Sequence, residues 1–113
     1  MDNTLNYKKI VREVITRIGN LVPDDDFSKT QIILDDESGH YLLVDIGWQD
    51  KLRTYLPFVH IDVTPEGKVW LQHDGTDLRI ASLLEEEGIP KSSIVLGFKP
   101  PYIREMIDEY AVS

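Results

Sequence analysis

The sequence predicts one α+β domain in which helices cover one face of an antiparallel sheet. Apolar residues recur at helical spacing near the N-terminus, alternating segments separated by short turns fill the middle, and two more helical segments lie towards the C-terminus. Successive strands joined by tight turns pair in antiparallel fashion, and such a sheet buries one face against helices. With 113 residues, we expect a single domain spanning residues 1–113.

The first helix is predicted over residues 5–20. Its apolar positions share one helical face. Asn3 or Thr4 is suited to cap the start, and the pair Gly19 and Asn20 is suited to end the helix. The residues of the predicted buried stripe are Ile10, Val11, Val14, Ile15 and Ile18.

Four strands are predicted over residues 31–35, 41–49, 52–63 and 68–73. The second alternates apolar and polar residues, which is typical of a half-buried strand. The third changes phase at Pro57 and Phe58, which predicts a β-bulge because proline fits poorly into a central ladder. Residues 94–96 are a candidate short fifth strand.

Two helices are predicted in the C-terminal part of the chain. Residues 78–87 form the first of them, with Asp74 or Thr76 as its cap and Gly88 at its end. Pro101 is suited to the first position of the last helix. The predicted order is therefore helix, four strands, helix, short strand, helix, with the two C-terminal helices packed on one face of the sheet.

The charge balance argues against stand-alone DNA binding. Twenty acidic residues against twelve basic ones give a net charge of −8, whereas affinity for duplex DNA comes largely from Lys and Arg on phosphates. A basic partner protein is the natural complement of such a surface. The chain has no cysteine, which excludes disulfides and thiolate chemistry. With no membrane-length apolar run and no signal-peptide pattern, we expect a cytoplasmic protein.

One constellation resembles a metal or acid–base site: His60, Asp62, His73 and Asp74. His60 and Asp62 lie two residues apart on a strand and share a face, and the following hairpin brings His73 near them. Two histidines and a carboxylate can bind a divalent metal, so a metal-dependent enzyme centred on His60, Asp62 and His73 is one alternative. Alternation with buried neighbours already explains these residues as a polar outer face. We therefore predict no catalytic residue, no metal and no cofactor.

Direct DNA binding is a second alternative, because the first helix concentrates positive charge. It carries four of the twelve basic residues, mostly off the apolar face. They are Lys8, Lys9, Arg12 and Arg17.

Acidic and aromatic residues are the candidates for binding a partner protein. The run Glu85 to Glu87 ends a helix, where the macrodipole disfavours negative charge, so it is a candidate docking site for a basic partner. Large aromatic residues are enriched at protein interfaces. The candidate partner-binding residues are Trp48, Trp70, Asp74, Glu85, Glu86, Glu87, Phe98 and Tyr102.

Motifs along the whole chain resemble the XisI-like family. The two longest are HIDV at 60–63 followed by GKVWLQHDGT at 67–76, and GIPKSSIVLGF at 88–98 followed by two prolines. The segment YLLV at 41–44 with Gly47 and Trp48 is similar to the family's second strand, and YAV at 110–112 is similar to its ending. His73 departs from the family, in which glutamine is common.

The resemblance implies an excision controlling factor for the fdxN DNA element of nitrogen-fixing cyanobacteria. Such a protein is a non-catalytic accessory that works with a site-specific recombinase and with a companion XisH-like protein. The recombinase performs the strand chemistry, so contact with DNA is indirect. The companion resembles nuclease folds, which implies a basic, DNA-handling partner. We also expect a homo-oligomer, with a dimer favoured because two-fold dimers are the commonest closed assembly.

Overall fold

The computed structural model describes residues 3–113 and confirms the α+β fold. A five-stranded sheet has the order β1-β2-β3-β4-β5. The first four strands are antiparallel. Strand β5 pairs with β4 in parallel, because the helical connection returns the chain to the end of the sheet at which β4 begins. The elements are α1 (Thr4–Leu21), β1 (Ser28–Asp35), β2 (His40–Gln49), β3 (Leu52–Val63), β4 (Val69–Asp74), α2 (Ile80–Glu86), a 3-10 turn (Lys91–Ser93), β5 (Ile94–Leu96) and α3 (Pro101–Arg104).

The core lies between α1 and the inner face of the sheet. All five residues of the predicted helical stripe are buried there, and α2 adds Ile80 and Leu84. The sheet contributes alternate residues, so the intervening side chains form an outer face. The largest fully buried residues of the sheet are Tyr41, Leu43, Ile61, Leu71 and Ile94.

The prediction that Gly19 and Asn20 end the first helix was wrong, because α1 continues to Leu21. Gly19 is buried instead, and a Cβ atom there would lie 2.7 Å from Cγ1 of Ile32. This glycine therefore allows the helix to approach the sheet closely. The sequence pattern does not distinguish this role of glycine from that of ending a helix.

The other helix ends also differ from the predictions. Asn3 is the N-cap residue of α1 but makes no side-chain cap bond. Helix α2 begins at Ile80, with Arg79 as its N-cap residue in a left-handed conformation. The last helix is a single turn, and Ile107 and Tyr110 beyond it still pack against the core.

The predicted bulge in the third strand is confirmed. Leu43 pairs with Val59 and Val44 pairs with Pro57, which leaves Phe58 as the extra residue. A second register shift follows on the other side of β3, between His60 and Ile61.

The middle of the β2–β3 hairpin extends beyond the rest of the sheet. Pairing of β1 with β2 reaches only Gly47, and pairing of β3 with β4 begins at Val59. Residues 48–53 therefore form a two-stranded tip, and residues 54–57 continue β3 as an edge strand beside β2. We call residues 48–57 the hairpin arm. Within residues 3–113, no helix is long and apolar enough to cross a membrane.

Candidate functional site

One face of the hairpin arm carries two exposed aromatic rings that share a cation. Trp48 lies opposite Arg53 in the β2–β3 register. The guanidinium carbon of Arg53 is 5.1 Å from the ring centroid of Trp48 and 6.0 Å from that of Tyr55. Trp48 and Tyr55 are 57% and 65% exposed. Such cation–π stacking holds amphipathic rings in place while they remain accessible to solvent.

The other face of the arm is apolar as well. Leu52 and Leu56 are both exposed on it, and the register places them opposite Gln49 and Asp45. Both faces of the arm therefore meet solvent. Clustered exposure of large apolar side chains marks interaction surfaces.

An acidic loop lies against the base of the arm. The carboxylate of Asp25 accepts hydrogen bonds from the backbone N–H groups of Phe27 at 2.7 Å and Ser28 at 2.6 Å, and these bonds lower the pKa of Asp25. Any Cβ on Gly47 would collide with the carbonyl oxygen of Phe27. The run Asp24–Asp26 is exposed, and these contacts hold it beside the first residues of the arm.

Trp70, Phe98 and Tyr102 belong to a different surface. Trp70 lies on β4 opposite Asp62 and is partly covered by the guanidinium of Arg104, 5.1 Å from its ring. Phe98 and Tyr102 are exposed in the segment that follows β5. Through its partner Asp62, Trp70 is aligned with His40 of β2. Trp48 is eight residues further along β2, a separation of about 26 Å at strand spacing. The predicted aromatic residues therefore occupy two surfaces rather than one.

Asp74 has an internal structural role. Its Oδ1 accepts a hydrogen bond from the N–H of Thr76 at 2.9 Å, and its Oδ2 accepts one from the N–H of Ile80 at 3.0 Å. The carboxylate therefore orders the loop before α2 and satisfies a free N–H at the helix start, although it is six residues from that position rather than at the N-cap.

The glutamates at the end of α2 have different surroundings. Glu85 accepts a hydrogen bond from the hydroxyl of Tyr110 at 2.9 Å, and Glu87 forms an ion pair with Arg17 at 3.0 Å. Glu86 is exposed. Arg12 of α1 similarly pairs with Asp36. These ion pairs reduce the positive charge that direct DNA binding through α1 would require.

The contact between Tyr110 and Glu85 yields a prediction in alkaline solution. Burial, followed by the bond to Glu85, raises the pKa of Tyr110 from 10.0 to about 12. Because the folded pKa is the higher one, the stabilisation is complete below pH 10 and is lost as the pH rises through 12. Burial, followed by the hydrogen bond to Asp36, also raises the pKa of Tyr41. A tyrosinate absorbance titration should therefore show two late-ionising phenols, and Tyr110→Phe should remove one of them. An unchanged late phase in that variant would contradict this assignment.

A cluster of two histidines and one aspartate lies on the outer face of the sheet. Nδ1 of His40 is 2.7 Å from Oδ1 of Asp62, and Nε2 of His60 is 2.8 Å from the same oxygen. The amide of Gln72 donates to the other oxygen, Oδ2, at 3.1 Å. The structure thus brings the predicted pair His60 and Asp62 together.

The third member of the cluster is His40 rather than the predicted His73. His73 lies opposite His60 in the β3–β4 register, but the group of converging ligand atoms comprises His40, His60 and Asp62. His40 lies directly opposite Asp62 in the β2–β3 pairing. Sequence reasoning missed it because the match depends on the register of a long hairpin that contains a bulge.

The cluster is electrostatically coupled. Burial raises the pKa of Asp62, but hydrogen bonds from His40, Gln72 and His60 together outweigh it and leave that pKa below its usual value. The hydrogen bond to Asp62 in turn raises the pKa of His40. Asp62 is therefore a carboxylate poised to hold a cation or a proton donor.

These features define a class of small α+β proteins with a five-stranded mixed sheet, a projecting hairpin and a polar outer face. The XisI protein family model matches residues 1–112. The fold is also that of a XisI-like protein from Anabaena variabilis, with 35% identity, a TM-score of 0.90, and coverage of 97% of this chain and 99% of that one.

A second solved structure is similar over the same extent. It is the fdxN element excision controlling factor XisI from Anabaena variabilis, at 28% identity and a TM-score of 0.85, again covering 97% of this chain and 99% of that one. No curated protein matches. The chain belongs to the XisI family.

Proposed function

We propose that this protein is a non-catalytic accessory factor that binds a companion XisH-like protein and thereby controls site-specific excision of a DNA element. The observation that carries the proposal is the hairpin arm, with its exposed Trp48, Leu52, Tyr55 and Leu56. Membership of a family that includes an excision controlling factor supports a regulatory role.

The composition of the arm suits a protein interface. Tryptophan, tyrosine and arginine dominate the binding energy of protein interfaces, and the arm presents one of each as a stacked group. The arm also has a free backbone edge over residues 52–57, where β3 has no β4 neighbour. A partner could add a strand there and fill its pockets with the arm's side chains.

Charge indicates the kind of partner. The net charge of −8 opposes binding to phosphates, and the acidic loop Asp24–Asp26 lies beside the arm. A DNA-handling partner carries basic surface, so an apolar contact with the arm and attraction to the acidic loop can occur together. Such attraction accelerates association and selects the partner.

Co-purification tests the proposal. The tagged full chain is co-expressed with the XisH-like protein of the same genome and eluted at moderate salt. We expect the two proteins to elute together, with recovery falling as salt increases because the charge contact is screened. Elution of this chain alone would overturn the proposal. The mass of the eluted species also reports whether the chain is the dimer that we expect.

The same preparation tests the direct DNA-binding alternative. The isolated chain is titrated with duplex DNA at low and moderate salt, and the double variant Lys8→Glu, Arg12→Glu is compared with it. We expect no salt-dependent shift from either protein. A shift that the double variant abolishes would favour direct DNA binding through α1.

A further inference from the structure

We propose that His40, His60 and Asp62 form a binding site for one divalent transition-metal ion of the Zn²⁺ class. This inference is independent of the hairpin arm, because the cluster lies about 26 Å along β2 from Trp48. It concerns metal binding and does not require catalysis.

The ligand atoms already converge. One ring nitrogen of His40, one of His60 and one carboxylate oxygen of Asp62 all lie within 4.8 Å of one another. Zn²⁺ binds nitrogen and oxygen ligands at about 2.0–2.2 Å, so neighbouring atoms of a tetrahedral site are about 3.3 Å apart. The two nitrogen–oxygen separations of 2.7 and 2.8 Å therefore need to grow by about 0.5 Å. Small rotations of the imidazole rings provide that movement.

The three residues lie on paired strands, and the site is open to solvent. His40 and Asp62 are directly opposed on adjacent strands, and His60 is two residues from Asp62 on the same face. The side chains of His40, His60 and Asp62 are 53%, 35% and 19% exposed. An ion can enter from solvent, and a water molecule can occupy a fourth position.

The surroundings orient the carboxylate and add negative charge. Gln72 holds Oδ2 of Asp62 and leaves Oδ1 directed at the two imidazoles, which is how neighbouring groups orient metal-binding carboxylates. Asp35 lies opposite His40 in the β1–β2 register and acts on it electrostatically. Two carboxylates therefore face a cation bound at this position.

The ligand set selects the class of metal. Imidazole nitrogens favour Zn²⁺, Ni²⁺, Co²⁺ and Cu²⁺ over Mg²⁺ and Ca²⁺, which prefer sites made wholly of oxygen ligands. The chain has no cysteine to supply thiolates. Two imidazole nitrogens and one carboxylate oxygen therefore form a mixed nitrogen–oxygen ligand set, which suits Zn²⁺.

Calorimetric titration of the chelator-treated full chain with ZnCl2 tests this inference. We expect one equivalent to bind per chain, the Tm to rise with ZnCl2 concentration, and Co²⁺ to give the visible absorption of a tetrahedral site. Binding should be lost in His40→Gln, a substitution at a half-exposed position that leaves the core untouched. His73→Gln is the matched control and should bind as the unmodified chain does. Absence of binding, or equal loss in the His73→Gln control, would overturn the proposal.

Discussion

Replacing Trp48 and Tyr55 together by alanine should weaken binding of the XisH-like partner by about 30-fold or more, because hot-spot truncations cost about 2 kcal/mol or more. Both rings are exposed and stack on one guanidinium, that of Arg53. The double substitution therefore removes most of one face of the arm. Calorimetry with the purified partner gives the affinity of each variant.

The matched control is the double variant Phe98→Ala, Tyr102→Ala. These residues are 47% and 66% exposed, close to the 57% and 65% of Trp48 and Tyr55. They lie in the segment that follows β5, together with Trp70, on what we call the C-terminal surface. Both double variants should keep nearly the same Tm as the unmodified chain, since exposed side chains contribute little to folding. Weaker binding in the control but not in the arm variant would place the interface on the C-terminal surface instead.

Gly39→Ala should destabilise the fold by about 3 kcal/mol or more, because backbone strain and a clash act together. Gly39 has a φ of +78°, and a Cβ there would collide with the carbonyl oxygen of Val63. Its own carbonyl accepts a hydrogen bond from the N–H of Val63 at 2.8 Å. The substitution therefore disturbs the joint between the β1–β2 turn and the end of β3.

Gly67→Ala isolates the clash from the strain. Gly67 has nearly the same φ, +81°, but nothing lies within 4 Å of the position that the added methyl group would take. It should cost only the left-handed penalty of about 1–2 kcal/mol. At about 4 °C per kcal/mol, thermal unfolding should place the two variants several degrees apart. Equal Tm values would show that the collision at Gly39 relaxes freely.

Local periodicity was sufficient to predict most of the fold. The stripe of α1 and the phase change at Phe58 depend on neighbours in sequence, and both are confirmed. Gly19 was misassigned because a glycine that ends a helix and one that admits a neighbouring strand look alike in sequence. The parallel orientation of β5 follows from the path of the connection through α2, which strand periodicity does not encode.

The candidate sites depend on features that periodicity does not report. Tyr55 and Leu56 lie on a part of β3 that has β2 on one side and no strand on the other, because β4 pairing begins only at Val59. The signal in the sequence was the length of the second and third strands relative to the first and fourth. His40 meets Asp62 through a bulged register, so residue spacing alone pointed to His73 instead.

Hydrogen exchange of the chain alone and bound to its XisH-like partner tests the central claim most directly. Free, the arm should exchange rapidly at the outward-facing amides of residues 52–57, which have no neighbouring strand on the β4 side. Bound, we expect protection concentrated in residues 45–57 and in the acidic loop beside them. A complex that forms while these residues exchange at their free rate would contradict the account.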